Sequence, residues 1–120
     1  MQYMLLIYGD ESAWGDSSPE DQEAEIRRWT DYTAWLHEKG WHLAGDPLEP
    51  TASATTVRER DGKTMTTDGP FAETKEQLGG YYLVNCANLD EAIEAASRIP
   101  SVGTGSIEIR PVMEFPEETP

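Results

Sequence analysis

The run Tyr3 to Tyr8 is apolar on both alternating faces, the pattern of a central strand covered by other layers on each side. Small, polar and acidic residues follow from Gly9 to Ser18, a loop with Trp14 in its middle. At Ser18-Pro19-Glu20-Asp21 a hydroxyl can cap free amides, proline fits the first helical position, and carboxylates meet the positive end of the dipole. A helix is predicted from here, with Ile26, Trp29, Thr33 and Leu36 as its buried stripe and Gly40 as its left-handed end. Trp35 falls off that stripe, beside Ala24, Arg28 and Asp31, where an indole on a lone monomer needs a cover. Trp41 to Gly45 alternates as a short second strand, which Asp46-Pro47 is expected to break.

The strongest local signal is Ala54 to Arg60, then Asp61-Gly62, then Lys63 to Thr67, because Asp-Gly suits the positive dihedrals of a two-residue hairpin turn. Gly69-Pro70 forces a bend, and Thr74 to Leu78 is predicted as one helical turn. Tyr81 to Cys86 reads as another apolar strand. Asn88 and Glu91 form a capping pair, ahead of a helical stripe of Leu89, Ala92, Ile93 and Ala96 that Pro100 ends. Ile107 and Ile109 alternate with Glu108 and Arg110 in a last strand, which Pro111 confines to an edge or a bend. Residues 1–115 form one domain and residues 116–120 a frayed tail.

This order of elements predicts an α+β fold, a ferredoxin-like βαββαβ sandwich with both helices on one face of the sheet. The other face has no helix, yet the strands Tyr3 to Tyr8 and Tyr81 to Val84 are apolar on both sides. A homodimer packed sheet to sheet is the predicted solution.

Charge narrows the partners. Nine Lys and Arg against 23 Asp and Glu give a net charge of −14, which repels a phosphate backbone and an anionic bilayer and so argues against nucleic acid and membrane. With 38% hydrophobic residues and four Trp, the chain still has enough apolar surface to form a core, unlike a disordered acidic tail. The single Cys86 forms no intrachain disulfide. The apolar run at the N-terminus is too short for a signal peptide or a membrane span, so a cytoplasmic location is expected.

Thr56-Val57-Arg58, Asp61-Gly62-Lys63, Thr67 to Glu76, and Leu78-Gly79-Gly80-Tyr81-Tyr82-Leu83 together resemble the DGPF branch of the YCII-related proteins. The ten residues from Thr67 to Glu76 are the specific part, and the resemblance runs from Tyr3 to Val112. It implies a dimeric α/β-barrel built from the ferredoxin-like fold. It also implies a His and Asp pair of the kind proposed as an active site in smaller relatives, some of which resemble muconolactone isomerases and chloromuconolactone dehalogenases. A link to extracytoplasmic-function sigma factors or stress regulation is implied as well. Asp68 matches the pocket Asp; the helical His falls near Trp29, and His37, two turns on, is its candidate substitute.

Asp68 is thus the first candidate acid or base, provided burial beneath Phe71 and Tyr81 raises its pKa. Its other reading is a turn residue bonding the amides of Gly69 and its neighbours. Gly69, Pro70, Phe71 and Tyr81 are the candidate ligand-binding residues, while Glu73 and Lys75 read as a solvated turn. His37, His42, Asp46 and Cys86 match no zinc spacing, so no metal and no cofactor are expected. Cys86 reads as a small buried hydrophobe. Gly103-Thr104-Gly105 precedes a strand, so it is not a dinucleotide loop. Arg58, Arg60 and Arg110 read as surface charges.

Three functions remain. The leading one is a homodimeric module that binds a small organic molecule between sheet and helix. Its enzymatic form is a lyase- or isomerase-type proton transfer at a carbonyl or lactone by Asp68, with Phe71 and Tyr81 shaping the cavity. The others are a non-catalytic regulator that binds a basic protein face, such as a sigma factor, and a purely structural dimer.

Overall fold

A computed structural model describes residues 1–13 and 18–115; Trp14 and the tail from residue 116 lie outside the described residues. The elements are β1 (Gln2–Gly9), α1 (Pro19–Lys39), β2 (His42–Pro47), β3 (Thr55–Arg60), β4 (Lys63–Asp68), β5 (Gln77–Asn85), α2 (Leu89–Ser97) and β6 (Ser106–Pro111). Short 3₁₀ turns occupy Glu11–Ala13 and Thr51–Ser53. Four strands form one antiparallel sheet in the order β2-β5-β1-β6, while β3 and β4 pair only with each other. Set aside the hairpin and what remains is the ferredoxin-like βαββαβ frame, with the hairpin inserted between its second and third strands.

Helix α1 starts where Ser18 Oγ accepts the Asp21 amide at 3.1 Å. It ends at Gly40, whose φ of 73° is open to glycine at little cost. There the Gly40 and Trp41 amides donate to the carbonyls of His37 and Leu36, each at 3.0 Å, so the last turn leaves two fewer acceptors bare. At α2, Asn88 Oδ1 accepts the Glu91 amide at 3.0 Å and the Glu91 carboxylate accepts the Ala87 amide at 2.7 Å. The hairpin turn is built as Asp-Gly predicts, with positive φ at both Asp61 and Gly62.

The core lies between sheet and helices. Tyr3, Leu5 and Ile7 of β1, Val84 of β5, Tyr32 and Leu36 of α1, and Ala92, Ala95 and Ala96 of α2 are buried together with Trp41, Cys86 and Ile99. Tyr32 Oη donates to the Ala95 carbonyl at 2.7 Å and ties the two helices; burial, then the nearby Tyr82 and Cys86, push its phenol pKa far up. Burial and the Glu91 charge likewise raise the Cys86 thiol, which keeps it an inert core group.

Several local expectations change. Ile26 is 66% exposed and Tyr32 takes its place in the α1 stripe, because the sheet lies under the C-terminal half of the helix. Leu89 and Ile93 are exposed, while Ala92, Ala95 and Ala96 are buried and Ile99, just past the helix end, is buried with them. Residues 74–76 form no helical turn, and β5 begins at Gln77. Strand β2 runs through Asp46-Pro47 instead of stopping there, which an edge strand tolerates. Trp35 needs no second molecule to cover it: the Arg98 guanidinium stacks 4.5 Å from its centroid, and Trp41 meets it edge-on at 5.6 Å.

Candidate functional site

Register sorts the sheet residues by face, because directly opposed partners point the same way. Leu5 opposes Tyr82 and Ile109, and these face the helices. Met4 opposes Leu83 and Arg110, Leu6 opposes Tyr81 and Glu108, and Tyr8 opposes Leu78 and Ser106. This second set carries no helix. Its middle is an apolar band of Met4, Leu6, Tyr8, Leu78, Tyr81 and Leu83, each partly exposed.

Within that band one polar pair stands out. Asp46 opposes Tyr81 across β2 and β5, and the Tyr81 phenol donates to Asp46 Oδ2 at 2.7 Å. That hydrogen bond, followed by the carboxylate's charge, raises the Tyr81 pKa above its ordinary range. The bond holds the phenol in one orientation with a carboxylate beside it. With its one proton committed to Asp46, the phenol oxygen and the free carboxylate oxygen can accept bonds from donor groups of a polar ligand lying on the sheet. Gly80 leaves space beside the pair, since a Cβ there would sit a tight 3.0 Å from the Asp46 carbonyl oxygen.

A second cluster lies on the opposite side, where α1 ends over β2. The rings of His37 and His42 stack with centroids 4.1 Å apart, and His42 meets Tyr82 edge-on at 6.2 Å. Thr33 Oγ1 donates to the Trp29 carbonyl at 2.9 Å, so in its 2.7 Å contact with Tyr82 the phenol is the donor. Gly45 leaves room for that ring: a Cβ there would approach Tyr82 Cδ1 to 2.6 Å. Burial, then the neighbouring His37 charge, lowers the His42 pKa below 6.5.

The His42 shift has a stability consequence. Below pH 6.5 the unfolded chain protonates His42 more readily than the fold does, so this residue's contribution is complete above that pH and declines as pH falls toward the folded pKa. Between about pH 7.5 and 5.5 the urea midpoint of the native chain is expected to fall more than that of His42→Gln. Equal losses in the two proteins would remove His42 from the pH response.

A cleft of about 330 Å³ forms a third feature, lined by Thr51, Pro70, Ala72, Glu73, Thr74 and Gln77. Its walls are pinned together by Glu11, whose carboxylate accepts the Thr51 amide at 2.9 Å and the Thr51 hydroxyl at 3.0 Å, and whose own amide donates to Gln77 Oε1 at 2.9 Å. Gln77 Nε2 also donates to the Thr74 carbonyl.

The residues singled out in the sequence are placed as follows. Asp68 ends β4, opposite Thr55, and is exposed. Gly69 adopts φ +98°, donates to the Ala54 carbonyl at 2.7 Å and accepts Thr56 Oγ1 at 2.8 Å, closing the hairpin base. Pro70 lines the cleft. The Phe71 side chain is 76% exposed, and its carbonyl accepts Arg58 Nη2 at 3.0 Å. Tyr81 lies on the helix-free face and His37 at the far end of α1. Among the described residues no hydrogen bond or ion pair joins Asp68 to His37.

The four weighed as metal ligands are also dispersed: His37 and His42 stack on the helix side, Asp46 faces away from it, and Cys86 is buried in the core. The sequence reading missed the Asp46–Tyr81 pair and the part played by Glu11, Thr51 and Gln77. The alternation of β2 continued through Asp46 would have placed it on the Ala44 face, but its partner depends on strand order.

A family model described as "YCII-related domain" matches residues 1–116. An uncharacterised protein of Rhizobium meliloti (strain 1021) is 42% identical over 123 residues, covering 100% of this chain and 99% of its own. A solved structure of 5-chloro-2-hydroxyhydroquinone dehydrochlorinase from Burkholderia phenoliruptrix AC1100, in complex with 2,5-dihydroxybenzoquinone, superposes with a TM-score of 0.48 at 13% identity, covering 96% of each chain.

Proposed function

Because the chain belongs to the YCII-related domain family, we propose that it is a homodimeric small-molecule-binding domain whose two copies pack sheet to sheet. The observation that supports this most is the apolar band on the helix-free face, with the Tyr81–Asp46 pair set in it. A second copy removes Met4, Leu6, Leu78 and Leu83 from water. It also encloses a phenol and a carboxylate that a small ligand with polar groups at one end would satisfy. The layer between sheet and helices is filled by the core, so the ligand is assigned to the other face, with Gly69, Pro70 and Phe71 in the loop that leads to it.

In the enzymatic form of this reading, Asp68 moves a proton on the ligand. It is exposed on its own chain, so it acts only when ligand or partner covers it; His37, stacked on His42 on the helix side of the sheet, stands apart from that face. A regulatory form, in which the acidic surface meets a basic protein such as a sigma factor, is supported by the net charge of −14.

Sedimentation at micromolar concentration tests the assembly. The native chain is expected as a dimer. Leu6→Glu places an unpaired charge in the band and is expected to weaken that dimer at least about a hundredfold, about 2.8 kcal/mol, with an unchanged far-ultraviolet spectrum. Native mass spectrometry of the host-purified dimer is expected to show added small-molecule mass. A monomeric native chain would overturn the reading.

A further inference from the structure

The β3–β4 hairpin exposes both of its faces along most of its length. Every residue of β4 and all but Thr56 of β3 are exposed, including Val57 at 62% and Met65 at 52%. A two-stranded ribbon alone is marginally stable in water and gains most when one face is covered. Its base is closed by bonds among Ala54, Thr56, Arg58, Gly69 and Phe71, which hold the ribbon's register from base to turn.

Register divides its charges by face. Arg58 opposes Met65 and Arg60 opposes Lys63, while Val57, Glu59 and Asp68 lie on the other side with Thr66, Thr64 and Thr55. One face therefore presents three of the nine cations of a chain whose net charge is −14, with a methionine among them and no carboxylate.

We propose that this cationic face of the arm docks on the acidic surface of a second copy of the same chain, so that each protomer of the dimer grips its partner. The proposal rests on the dimer reading above and adds a contact to it. Charge complementarity selects the occupant: two strongly acidic bodies repel, and a short basic face that reaches across offsets that repulsion locally. A thioether and Arg and Lys stems supply apolar cover for the contact.

The test compares Arg60→Gln/Lys63→Gln with Arg27→Gln/Arg28→Gln, which has the same net charge but alters α1. At about 0.1 M salt, where the screening length is ~10 Å, the arm variant is expected to dissociate at least about tenfold more readily than the α1 variant; at about 1 M, with ~3 Å screening, the gap is expected to close. Carbodiimide coupling of mixed ¹⁴N and ¹⁵N protomers is expected to join Lys63 of one copy to a carboxylate of the other. A dimer with equal constants for both variants and no such cross-link would overturn the arm while leaving the sheet-to-sheet dimer standing. A monomeric native chain would overturn both.

Discussion

Gly105→Ala is expected to destabilise the fold by ~3 kcal/mol, because the new methyl collides with backbone that has nowhere to go. A Cβ at this position would lie 2.1 Å from the Tyr8 carbonyl oxygen and 3.3 Å from Gly9 Cα. The turn cannot simply retreat: the Ser101 carbonyl accepts the amides of Thr104 and Gly105, each at 3.0 Å. The very next residue pairs with Tyr8 in the β1–β6 ladder. Relief thus requires giving up either the turn or the start of an edge strand. Gly103 is the internal control, since a Cβ there meets nothing within 4 Å; Gly103→Ala is expected to stay within about 0.5 kcal/mol of the native chain. Urea unfolding of the two variants decides it, and similar midpoints would contradict the close approach.

Leu36→Ala is expected to cost ~3 kcal/mol, the loss of buried methyl groups plus an incompletely collapsed cavity. Leu36 is fully buried, as are Leu5 and Val84 of the sheet in the same core cluster. Its carbonyl also receives the Trp41 amide at the end of α1, so a shift of the helix to fill the space strains the cap. Ile26→Ala provides the contrast. Both residues lie on the stripe that helical periodicity suggests, but Ile26 is 66% exposed and its truncation is expected to change stability by under about 0.5 kcal/mol. Equal losses at the two positions would mean that the sheet supports the whole length of α1.

That contrast shows where local pattern stops being informative. Periodicity finds the buried face of a helix, yet how far the sheet extends beneath it depends on strand length and order. The same holds for α2, where the alanines face inward and Leu89 and Ile93 outward; hydrophobicity alone ranks leucine above alanine and so points to the wrong face. Trp35 looked like an interface residue because a single helix was in view. Its cover comes from Trp41, just past the end of α1, and from Arg98, which lies beyond α2 and far along the chain.

The candidate site divides in the same way. The Gly69-Pro70 bend and the Asp61-Gly62 turn were legible because each depends on dihedral preferences of two adjacent residues. The apolar strands, and so the oily helix-free face, were legible because a two-layer fold leaves one face of its sheet bare. The Asp46–Tyr81 pair was not, since the two residues are 35 apart and meet only when β2 lies next to β5. Asp68 illustrates the reverse, a residue whose motif drew attention but whose side chain stands in water at the end of β4.

Local chemistry was therefore enough to set helix ends, turns and the alternation of strands, and with them the ferredoxin-like frame, because those choices are made among near neighbours. Which strands of the larger sheet lie side by side and which carboxylate meets which phenol were set by long-range packing. A pairing across the sheet has no energy until the strands that carry it are brought together.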